Sequence, residues 1–119
     1  MRRFFVCLLL LGLSSPAVAQ EDPYTVQFVL PGCRYLLDTR DPTLEKYAAI
    51  GGICAGVIAT LITINPSLES EYRICRPVGL TLRHDIKTVV NYLQADPTIW
   101  RQKFVPAAHL ALKQAWPCR

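Results

Sequence analysis

Residues 47–64 read YAAIGGICAGVIATLITI, eighteen positions without a charge. An apolar run of this length sits at the short edge of what spans a bilayer, and Gly52-x-x-x-Gly56 is a spacing that lets helices approach closely. The same run also suits the central helix of a small domain, buried on most sides. Gly51, Gly52, Gly56, Thr60 and Thr63 weaken its hydrophobicity. Cys54 lies at its midpoint, and a thiol at the centre of a bilayer could not pair with Cys33 on an exported segment. The stretch is therefore read as a central helix. Thr43 is placed to cap it, Glu45 falls in the first turn where negative charge is favoured, and Asn65-Pro66 stops it.

Downstream, residues 66–77 form a polar connection between two prolines, the longest stretch without helical periodicity. Gly79 and Thr81 lead into the clearest helix. Leu82, Ile86, Val89, Val90 and Leu93 make one apolar stripe, with Arg83, His84, Lys87, Asn91 and Gln94 on the other faces. Ala95-Asp96-Pro97 closes it. A last helix is predicted from about Thr98 to Trp116, with Trp100, Phe104, Ala108, Ala111, Leu112 and Ala115 sharing a face. Pro106 inside it should kink it or split it in two. Upstream, Tyr24, Val26, Phe28 and Leu30 alternate like a strand, but a lone strand has no partner here. Pro31 suits the first turn of a helix running to about Asp38, or a kink in a longer one. Thr39-Arg40-Asp41-Pro42 is a turn. The expected fold class is all-α: a small four-helix domain.

The start of the chain reads as an export signal. Arg2 and Arg3 are a basic start, Phe4 to Leu13 is an apolar run too short to span, and Ala17-Val18-Ala19 is a small-x-small cleavage site. Residues 1–19 would be removed, and residues 20–119 would form one periplasmic domain without a membrane span. Cys7 leaves with the signal. The formal charge falls from +4 to +2, with both signs interspersed. No basic stripe suggests nucleic acid.

Cys33, Cys54, Cys75 and Cys118 remain, and outside the cytosol an even count reads as two disulfides. Four cysteines allow three pairings, which helix geometry ranks. Short turns make successive helices antiparallel, so Cys33 on the first helix can face Cys54 on the second. Cys75 lies just before the third helix and Cys118 just after the fourth, at one end of an antiparallel hairpin. The expected bridges are Cys33–Cys54 and Cys75–Cys118.

The residues do not assemble into catalytic chemistry. His84 and His109 are the only histidines, and neither has a ligand partner at metal spacing. The thiols are better explained as crosslinks than as nucleophiles. Glycines 51, 52 and 56 lie within a helix, where they permit close packing and form no phosphate loop. No enzyme, no cofactor and no metal is expected.

The pattern as a whole then resembles a known family. Gly32-Cys33 is followed by Gly52-Ile53-Cys54-Ala55-Gly56, then Cys75-Arg76-Pro77, then Tyr92-Leu93-x-x-Asp96-Pro97. The chain closes with Ala111-Leu112-x-x-Ala115-Trp116-Pro117-Cys118. This order and spacing resembles the Rap/Tai family of type VI secretion immunity proteins over nearly all of the mature chain. The resemblance implies an exported, helical, disulfide-bonded antidote, often a homodimer, that binds a delivered peptidoglycan amidase and blocks its active site.

An inhibitor of a cleft needs a rigid element with polar tips and an anchoring aromatic. By composition the connection 66–76 qualifies, with Glu69, Glu71, Tyr72 and Arg73, its base fixed by Cys75. Arg83 and Lys87 on the third helix are expected to add a flanking surface. Two rivals arise from the same residues. One is a periplasmic holdase chaperone of the acid-stress type. The other is an envelope protein tethered through residues 47–64.

Overall fold

The structure, a computed structural model, describes residues 15–18 and 22–119. The expected leader lies outside the described residues apart from 15–18, as do residues 20 and 21. Four α-helices follow: α1 (Val26–Leu37), α2 (Ala48–Ile64), α3 (Leu82–Ala95) and α4 (Phe104–Ala115). Short 3-10 turns flank α2 and occupy the connections. Among the described residues there is no strand, only an isolated antiparallel bridge between Thr25 and Lys103. The fold is all-α, and both expected disulfides are present, Cys33–Cys54 and Cys75–Cys118.

The ambiguous segment after Tyr24 is helical. Val26, Val29, Leu30 and Cys33 are all buried, at steps of three, one and three, which is a helix stripe that the alternation of Val26, Phe28 and Leu30 disguises. Thr25 caps α1, its hydroxyl accepting the Phe28 amide at 3.3 Å. The next exposed donors are taken from outside the helix. The Val26 amide donates to the Gln102 carbonyl at 2.9 Å and the Gln27 amide to that of Trp100 at 2.8 Å. Pro31 lies inside α1, which runs through it with one backbone donor fewer. At the other end Arg83 of α3 donates to the carbonyls of Leu36 and Leu37, at 3.0 and 2.6 Å, satisfying two acceptors that a helix end leaves open.

α1 and α2 cross at Gly32 and Gly51. A Cβ on Gly32 would lie 2.5 Å from the Gly51 nitrogen and the Ile50 carbonyl carbon, so nothing larger fits without moving backbone. That approach brings Cys33 and Cys54 to a Cα–Cα separation of 5.4 Å, within disulfide reach. Thr43 does not cap α2. Its amide and hydroxyl donate to the Asp41 carboxylate at 2.9 and 2.7 Å, a local turn that precedes the Glu45–Tyr47 3-10 turn. These bonds, the hydroxyl's first, hold the Asp41 carboxyl below its ordinary range.

Two further expectations are corrected. α2 is not buried on most sides. It and its flanking turns are apolar and long enough to cross a membrane, yet only 22 % of the most apolar window is buried. Gly51, Cys54, Ile58 and Leu61 face the core, while Gly52, Ile53, Gly56, Thr60, Thr63 and Ile64 face outward. The reason is partner number: α1 covers one side of α2, α3 and α4 touch it less, and a hundred residues supply no further layer. The glycines accordingly split. Gly51 packs against Leu36, whereas a Cβ at Gly52 or Gly56 would meet nothing within 4 Å.

The second correction concerns the last helix. Thr98 belongs to the short 3-10 turn Pro97–Ile99, capped by the Asp96 carboxylate, and α4 begins only at Phe104. Pro106 is therefore in the first turn of α4, where its missing N–H has no carbonyl to meet. It marks a helix start, and the predicted single helix is split ahead of it. Ala115, expected on the buried face, is exposed, and Trp100 precedes α4 with its indole N–H donating to the Leu93 carbonyl at 2.7 Å.

Candidate functional site

The connection 66–77 is pinned along its length. Asn65, the residue that follows α2, closes a two-way clamp on Ile74. Its Nδ2 donates to the Ile74 carbonyl and its Oδ1 accepts the Ile74 amide, both at 2.7 Å. Ile74 is thereby drawn into the core, where it is 2 % exposed. Between these points the chain makes a 3-10 turn, Ser70–Tyr72. The Arg73 guanidinium crosses the turn to the Leu68 carbonyl at 2.8 Å. α4 holds the other side: His109 Nε2 lies 2.7 Å from the Tyr72 carbonyl, and Lys113 Nζ donates to the Glu71 carbonyl.

The base of the loop is tied four times. Cys75 is bonded to Cys118, and its amide donates to the Trp116 carbonyl at 2.9 Å. Arg76 makes a two-pronged pair with Asp85 of α3, at 2.8 and 2.9 Å, and donates to the Leu80 carbonyl at 2.6 Å. Asp85 is the one buried charged residue among the described residues, and this fork satisfies both its oxygens. The bond to Asp85 also raises the Arg76 guanidinium above its already high ordinary value. Gly79 then takes a left-handed φ of 89°, which returns the chain to Thr81 and the start of α3.

Beside the loop runs an apolar groove of about 260 Å³ between α2 and α4, lined by Leu61, Ile64, Leu68, Tyr72, Val105, Pro106 and His109. It continues along α2 past Gly56, Val57 and Thr60. Tyr72 and Val105 on its walls are 50 % and 46 % exposed, an arrangement that leaves large apolar groups in water. A preformed polar loop next to an apolar groove can hold a partner surface without first being ordered, which lowers the cost of binding.

The six expected contact residues do not form one cluster. Glu69, Glu71, Tyr72 and Arg73 are brought together on the loop and are exposed. Arg83 is engaged at the end of α1, so its guanidinium holds two helices together. Lys87 lines a separate hollow of about 270 Å³ with Arg34, Asp38, Asp41, Asn91 and Gln94. Sequence reasoning missed Ile64, Val105 and the groove they make. The available signal was the outward register of Gly52, Gly56, Thr60 and Ile64, four residues apart along α2. It also missed His84 stacking on Trp116, with ring centres 6.0 Å apart, beside the exposed crosslink. Among the described residues no group of three or more His, Cys, Asp or Glu is placed to hold a metal.

The fold and site are those of a small crosslinked helical domain built to present a pinned surface. The model of the Rap1a immunity proteins matches residues 25–118, from the cap of α1 to the last crosslinked cysteine, and the chain belongs to that family. No curated protein and no solved structure gives a significant match to it.

Proposed function

We propose that the protein is a periplasmic immunity protein that binds a type VI secretion effector, a peptidoglycan amidase, and blocks its active site. Family membership over residues 25–118 supports the immunity role. The single structural observation that carries the mode of action is the loop. It presents Glu69, Glu71, Tyr72 and Arg73 on a backbone already fixed by Asn65, His109, Lys113 and the Cys75–Cys118 bond. Tyr72 is the anchor, since its ring borders the apolar groove and is half exposed. Export through residues 1–19 would deliver the chain to the compartment where disulfides form and where an amidase would act. The bare outer face of α2 suits a second copy of the chain, which would make the inhibitor a homodimer.

The experiment uses the mature protein and a purified type VI peptidoglycan amidase as the probe. Equimolar protein should stop peptidoglycan hydrolysis, and the Tyr72→Ala/Arg73→Ala double variant should weaken binding by about a hundredfold, as expected for a truncated anchor. Unchanged affinity in the double variant removes the loop from the site. An absence of any complex at micromolar concentrations rejects the amidase as partner.

A further inference from the structure

The two crosslinks sit in opposite surroundings. Cys33 and Cys54 are completely buried beneath the α1–α2 crossing. Cys75 and Cys118 are both exposed, and Cys118 lies on the short tail that follows α4. Thiol–disulfide exchange requires a thiolate to reach one of the sulfurs, so access decides which bond reacts first. We infer that Cys75–Cys118 is a redox-sensitive clasp on the loop, opened by a dithiol reductant while Cys33–Cys54 stays closed. Only its consequence for the partner rests on the binding role proposed above.

The reaction is ordinary exchange. One thiolate of the dithiol attacks Sγ of Cys118, the bond to Cys75 breaks, and Cys75 leaves as a thiolate that takes up a proton. The second sulfur of the dithiol then attacks its own partner sulfur in the mixed disulfide. Cys118 leaves and is protonated, and the reductant closes as a disulfide. Two electrons and two protons pass from the dithiol to the two cysteines.

Opening the clasp has a local effect. The Arg76–Asp85 fork and the Asn65–Ile74 clamp do not involve sulfur and stay in place. The tail 117–119 loses its only covalent hold on the loop. The Cys75 amide then keeps its place on the Trp116 carbonyl by one hydrogen bond alone. Residues 71–75 are left to the clamp on the buried Ile74, the Arg73 bond to Leu68 and polar contacts with α4, so they open to solvent more often while the helices persist. Binding would then carry the added entropy of ordering the loop.

The test treats the folded protein with graded dithiothreitol, traps free thiols with iodoacetamide and maps them by mass spectrometry. Cys75 and Cys118 should be labelled at least about tenfold faster than Cys33 and Cys54. Amide exchange in residues 71–75 should quicken in the singly reduced protein under conditions where α1 and α2 stay largely protected. The Cys75→Ser/Cys118→Ser variant should reproduce that exchange pattern without reductant. Equal labelling of all four thiols, earlier labelling of Cys33 and Cys54, or a loop whose exchange does not change overturns the clasp. In the amidase assay, the oxidised form should bind more tightly than the singly reduced one. Equal binding by both forms overturns the effect on the partner, whereas failure of the oxidised form to bind refutes the proposed function and leaves the clasp standing.

Discussion

The α1–α2 half and the loop–α4 half of the molecule are both crosslinked, but they are held by different physics. In the first, backbones touch: Gly32 fits against Gly51 and Ile50 with no room for a methyl group, and the disulfide beside them is buried. In the second, the segment between two prolines has little apolar content to bury, and Ile74 alone enters the core. Polar contacts from Asn65, Arg73, His109 and Lys113 and an exposed disulfide hold the rest. Close packing makes a scaffold that tolerates no change. Polar pinning leaves side chains free at the surface, where a partner can use them.

The largest effect should come from removing a crosslink. Cys75 and Cys118 are 43 residues apart and Cys33 and Cys54 are 21 apart. Loop-closure entropy assigns about 4 kcal/mol to the first and about 3 kcal/mol to the second. Denaturant titration of the two double alanine variants checks the order. If losing Cys33–Cys54 proves much the costlier, packing around the buried bond outweighs chain entropy.

Gly32→Ala comes next. Its Cβ would fall 2.5 Å from backbone atoms, so α1 must shift off α2, with an expected loss of about 3 kcal/mol. Gly52→Ala is the matched control on the open face of α2. Nothing lies within 4 Å, and alanine is the better helix former, so the monomer should gain up to about 1 kcal/mol. Thermal unfolding distinguishes them; equal losses at both positions would mean that α2 is covered on both sides in solution.

Asn65→Ala should cost about 2 kcal/mol, because the amide and carbonyl of Ile74 both lose their partner. Amide exchange at Ile74 reads the effect directly. It should weaken amidase binding as well, although Asn65 is not among the proposed contacts.

The smallest effect is acid sensitivity in the turn before α2. The Thr43 hydroxyl and amide hold the folded Asp41 carboxyl below its ordinary 3.8. Folding therefore favours the ionised form. That contribution is complete above the unfolded value and is lost as pH falls through the folded one. An Asp41→Asn variant should be slightly less stable than the parent at neutral pH and should show a shallower loss of stability below about pH 4, the two proteins converging in acid.

Legibility in the sequence divided along the same line. The cysteine pairing was readable because antiparallel helices fix which ends meet, and that needs only the chain order. The α3 stripe was readable because Ile86, Val89, Val90 and Leu93 all face one neighbouring layer. The burial of α2 was not, since an uncharged run looks the same whether a second layer covers it or not. Pro106 signalled the break in the last helix but not its place, because only the carbonyls around a proline show whether it interrupts a helix or starts one. Arg83 looked like a surface contact because the end of α1, forty-six residues away in sequence, had no visible relation to it. The loop residues were singled out by composition alone, while the groove beside them needed α2 and α4 to be placed.

Hydrogen–deuterium exchange on a complex with the proposed amidase partner is the decisive measurement for the pinned loop as the inhibitory surface. Exchange should slow in residues 68–75 and in the first turns of α4, where loop and groove meet. Protection confined to residues 34–44 and 87–94, around Lys87 and Asp41, would contradict that role, as would a complex that leaves the loop exchanging at its free rate.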